Sequence, residues 1–68
     1  MTSEQIELAL REIATSGVAG PIKGTSVDKF TANLILTVAD RLNENNKKSL
    51  LDSSVESMVA ISYRMVTH

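Results

Sequence analysis

The segment Gly-Pro-Ile-Lys-Gly-Thr-Ser at residues 20–26 holds the densest set of reactive groups in this chain. It places glycines, the Lys23 ammonium and the hydroxyls of Thr25 and Ser26 before a stretch with helical periodicity. Backbone N–H groups and the dipole at a helix start attract anions. A phosphate-binding loop, however, needs lysine directly after the last glycine of GxxxxGK[ST], with a strand before it. Here Lys23 precedes Gly24 and no strand is legible upstream, so the segment reads as a turn followed by a helix cap. The carboxylates Glu4, Glu7, Glu12, Asp28, Asp40, Glu44, Asp52 and Glu56 are scattered. General acid–base work needs two of them facing one cleft. Most of these fall instead in first turns or on polar faces, where solvation is their ordinary role.

The single histidine, His68, is the last residue, and there is no cysteine. A Ser-His-Asp arrangement, a disulfide and a Cys-zinc site therefore have no basis, and a His-based metal site lacks ligands. The residues call for no cofactor and no catalytic group, which argues against an enzyme. A chain of 68 residues makes one domain at most, residues 1–68, and buries only roughly 60% of its unfolded surface. Domains this small often rely on a disulfide, a metal or a partner chain. With the first two removed, self-association is the expected support. The formal net charge of −1 sets up no strong field for nucleic acid or anionic lipid. No apolar run approaches the ~18 residues of a membrane span, and the start lacks a basic-then-apolar leader. A cytoplasmic protein without membrane contact is the expectation.

The elements that must position any surface are helical by pattern. The hydrophobic fraction is 43%, and Phe30 and Tyr63 are the only aromatics. Aliphatic cores of this kind suit helix bundles better than sheets. Over residues 3–16, Thr2 and Gln5 have capping-box spacing, Ile6, Leu10 and Ile13 form one stripe, and Gly17 supplies a stop. Residues 17–25 hold all three glycines and the proline, and read as a loop. Residues 26–44 form the strongest helix. Val27, Phe30, Leu34, Val38 and Leu42 make one apolar stripe, and Ala32, Leu36 and Ala39 make a second. Apolar surface wider than one stripe implies more than one packing neighbour. The second strip is therefore a candidate dimer seam. Residues 43–48, Asn-Glu-Asn-Asn-Lys-Lys, read as the polar turn of a helical hairpin. Over residues 49–66, Leu51, Val55, Met58, Ser62 and Met65 follow heptad-like spacing, and Ser53 with Glu56 matches a capping box. Val59, Ile61, Tyr63 and Met65 also alternate in the manner of a half-buried strand. A lone strand lacks a partner here, so helix is preferred. The resulting fold class is all-α, a three-helix domain of helix, glycine-rich loop and helical hairpin, working as a dimer.

On these elements, Met58 and Met65 are candidates for an adaptable binding surface. Tyr63 and Arg64 are candidate interface anchors, because both types are enriched at hot spots. With Ala32, Leu36 and Ala39 they make up the candidate interface. A DNA-binding regulator is the alternative, with Lys47 and Lys48 as the nucleic-acid contact. Two lysines beside Glu44 make a small footprint, however, and no short turn leads into a basic recognition helix.

The run Asn33-Leu34-Ile35-Leu36-Thr37, followed by Leu42, resembles the central helix of the small enterobacterial biofilm and acid-resistance regulators, the AriR-like connector proteins. Ile6–Ile13 with Ser16-Gly17, and later Tyr63-Arg64, follow the same order as in that family. The resemblance implies a helical homodimer acting through protein contacts on signalling or transcription. It carries over no catalytic residue.

Overall fold

Thr2 opens the first helix by reciprocal capping. Its Oγ1 accepts from the Gln5 backbone N–H at 3.2 Å, and Gln5 Oε1 accepts from the Thr2 N–H at 2.9 Å. The computed structural model describes residues 2–67, so His68 lies outside the described residues. Helix α1 runs Ser3–Ser16 and ends on Gly17, whose φ of 76° is open to glycine and whose N–H bonds the Ile13 carbonyl. Ile6, Leu10 and Ile13 are its buried stripe, as their spacing requires.

The glycine-rich segment is not a plain loop. It is a β-hairpin of β1 (Gly20–Ile22) and β2 (Thr25–Val27), paired antiparallel with Ile22 opposite Thr25 and Gly20 opposite Val27. Lys23 and Gly24 form the two-residue turn, both at positive φ (49° and 79°), which matches the twist of a hairpin. Ile22 and Val27 are buried and anchor the hairpin to the core. The described residues are thus mostly helical with a small sheet, rather than purely all-α.

Helix α2 (Lys29–Ala39) starts on Asp28, whose carboxylate accepts from the Thr31 N–H at 2.7 Å. It is shorter than the residue pattern implies. After Ala39 the chain tightens, with Arg41 and Leu42 donating to carbonyls three residues back. Asn43 then caps a new helix by accepting from the Asn46 N–H at 2.8 Å. What reads as a polar turn is therefore the start of α3 (Glu44–Asp52). The third segment also divides. Ser53 and Ser54 are both extended, and Ser54 rather than Ser53 caps α4 (Val55–Val66). The described chain accordingly has four helices where the sequence pattern gives three. Residues 59–65 are helical, in keeping with the preferred reading.

Lys23 closes the arrangement. Its Nζ donates to the carbonyl oxygens of Leu51 at 3.2 Å and Ser53 at 2.7 Å, at the C-terminus of α3. A cation there meets the negative end of the helix dipole and two otherwise unpaired carbonyls. The lysine of the Gly-Pro-Ile-Lys-Gly segment thus joins the hairpin to the end of α3.

Helix α2 packs against both α1 and α4. Most of its apolar surface, Phe30 excepted, is covered inside the chain. Ala32, Ile35, Leu36, Val38 and Ala39 are all buried. The radius of gyration of 10.7 Å is close to the roughly 11 Å of a folded domain of this length.

Candidate interaction surface

The candidate residues divide sharply by position. Ala32, Leu36, Ala39 and Met58 are buried in the chain's own core. A second chain cannot reach them without opening the domain, so the seam drawn through the second strip of α2 is core instead. The physical reason is that α2 already has two neighbours, α1 and α4, within one chain. Tyr63, Arg64 and Met65 are exposed, and they lie together on the C-terminal half of α4.

That half of α4 also leaves apolar surface uncovered, as Leu8, Val18 and Phe30 do outside it. Val55, Met58 and Ser62 are its buried stripe. Met65 and Val66, three and four residues beyond Ser62, continue the stripe but remain 43% and 42% exposed. Ile61 and Tyr63 add 38% and 63% exposure on the flanks. Phe30, assigned to a core stripe by its spacing, is 82% exposed instead. It sits in the first turn of α2, between the buried Val27 and Ala32. Sequence reasoning left Ile61 and Val66 out of the candidate interface. The signal that could find them is the persistence of the apolar pattern through residues 61–66.

Ser62 is fully buried, and its Oγ has no hydrogen-bond partner among the described residues. A hydroxyl in this state penalises the fold.

The lysine pair lies in a different setting. Lys47 Nζ is 2.8 Å from Glu7 Oε1, while Arg11 Nη2 bonds Glu7 Oε2 at 2.9 Å and Asp40 Oδ1 at 3.0 Å. The network ties α1 to α3 and to the end of α2. Hydrogen bonds from Lys47 first, then Arg11, lower the Glu7 pKa below its usual 4.5, against the opposing effect of burial. The same bond raises the pKa of Lys47. Glu4, Glu7 and Glu44 share a groove with Lys47 and Lys48. Three carboxylates against two ammonium groups do not make a phosphate footprint.

This network has a pH signature. Because the folded Glu7 pKa is depressed, its contribution is complete above 4.5 and is lost as pH falls through the lower folded value. Glu7→Gln is therefore expected to melt at a lower temperature than wild type at neutral pH. It should also lose part of the acid-induced fall in stability. Thermal melts across the acid range check this, and identical pH profiles for the two proteins contradict it.

Among the described residues, no group of three or more His, Asp or Glu side chains is placed to hold a metal ion. No described helix is long and apolar enough to cross a membrane. Three surface grooves hold 260, 240 and 330 Å³, two of them below and one just inside the ~300–1,000 Å³ of small-molecule sites. Compared with known protein families, curated proteins and solved structures, the chain matches none.

Proposed function

We propose that this chain is a small, non-enzymatic regulatory or adaptor module that works through protein–protein contacts, as a homodimer, with the outer half of α4 as its contact surface. The observation that carries the reading is the concentration of Ile61, Tyr63, Met65 and Val66, all exposed, in the last six residues of one helix. Of these, Ile61 and Met65 share one side of the helix at i, i+4, and neighbouring exposed apolar residues of that kind mark contact sites. Tyr63 and Arg64 add the residue types most often found at the energetic centres of interfaces. The regulatory part of the reading rests on the resemblance to the biofilm and acid-resistance regulators, and a cytoplasmic setting goes with it.

Replacing Ile61 and Met65 together by glutamate tests the contact surface. Both side chains are more than a third exposed, so the double variant keeps its helical signal while its mass in light scattering falls from dimer to monomer. A variant that stays dimeric at the same concentration places the contact elsewhere.

A further inference from the structure

We propose that two copies of this chain pair through α4 in antiparallel register, across a face formed by Ser57, Ala60, Ile61 and Arg64. This rests on the homodimer put forward above and specifies the direction and register of its pairing. The four residues follow at i, i+3, i+4 and i+7, which aligns them along one side of a helix. All four are exposed, and the buried residues Val55, Met58 and Ser62 lie on the other side. Met65, four residues beyond Ile61, extends the face with apolar surface, while Tyr63 and Val66 lie round the helix from it. Ser57 and Ala60 are small, so a second helix can approach to the ~8–10 Å of ordinary helix packing.

Charge selects both the occupant and the direction. Glu56 stands in the first turn of α4 and Arg64 in the last. Both are exposed, and neither joins an ion pair within the described residues. A two-fold axis passing between Ala60 and Ile61 sets Ala60 against the second copy's Ile61. It sets Arg64 opposite the second copy's Ser57, one residue from its Glu56, within reach of the two long side chains. A two-fold contact is reciprocal, so the same pair forms twice. Parallel pairing puts Glu56 beside Glu56 and Arg64 beside Arg64, with like charges facing and helix dipoles aligned. The face thus complements itself in one orientation only.

Charge reversal in the full chain tests the register. Glu56→Arg leaves two positive charges at each end of the seam, and Arg64→Glu leaves two negative ones. Each variant is expected to self-associate more weakly than wild type, on the order of tenfold, because two exposed pairs turn repulsive. Mixing the two variants in equal amounts sets a chain with two arginines on this face against a chain with two glutamates. Opposite charges then meet at both ends of the seam, and dimers return, now mixed. The chain carrying both reversals dimerises as wild type does. Far-UV circular dichroism confirms that each variant is folded. If the reversals leave the wild-type dimer unchanged, or if mixing gives no rescue, the antiparallel seam is overturned. The contact surface itself survives that result provided the Ile61, Met65 double variant still dissociates. A wild type that is monomeric at every concentration overturns both.

Discussion

A chain carrying Leu36→Glu is expected to be largely unfolded at 25 °C. Leu36 is 7% exposed, on the helix that packs against both α1 and α4. The substitution removes a leucine from the core and puts a carboxylate in its place with no partner. A buried, unpaired charge costs several kcal/mol, and the lost leucine packing adds to it. A domain of 68 residues has only about 3–10 kcal/mol in total. The variant therefore loses its helical signal and its cooperative urea transition. The result separates core from seam. If Leu36 were a partner-facing residue, the variant would dissociate and stay folded, and a helical, cooperatively melting Leu36→Glu monomer contradicts the core assignment.

Ser62→Ala is expected to act in the opposite direction and stabilise the protein by about 1–2 kcal/mol. The Ser62 hydroxyl is fully buried without a partner among the described residues. Removing an unsatisfied buried hydroxyl recovers its desolvation cost, and alanine is the better helix former. In a domain this size, 1 kcal/mol raises Tm by about 4–8 °C. A thermal melt of the two proteins under the same conditions reads the effect directly. A lower Tm in the variant shows that the hydroxyl is hydrogen-bonded in solution, for instance to its own helix four residues back.

The boundaries of α1 were legible because local groups set them. The Thr2–Gln5 box and Gly17 act within a few residues of themselves, and spacing alone reveals them. The hairpin was hidden for a related reason. Its two-residue turn is Lys23-Gly24 rather than Asn-Gly or Asp-Gly, and a lysine at φ 49° is rarely a turn residue. What holds Lys23 there is distant in sequence, the carbonyl oxygens of Leu51 and Ser53. The division of the second half into α3 and α4 depends on which of several neighbouring polar residues act as caps. Asn43 and Ser54 do so, although Ser53, with Glu56 three residues on, is the one with capping-box spacing.

The candidate surface was legible in part. Two apolar strips on one helix correctly signal two neighbours, but spacing does not say whether a neighbour belongs to the same chain. Both neighbours of α2 do, so Ala32, Leu36 and Ala39 are core. Met65 and Val66 are uncovered while Val55 and Met58 are not, although all four belong to one apolar pattern. Lys47 and Lys48 are adjacent in sequence, but only the fold brings Glu7 of α1 against Lys47.

The central claim is that the core closes within one chain and that the outer half of α4 then joins two closed domains. Solution mass across a dilution series, with circular dichroism on the same samples, tests it most directly. The account predicts a dimer that dissociates on dilution into monomers with the same helical signal. Loss of helix on dissociation contradicts the closed core, and a monomer at every concentration contradicts the role given to α4.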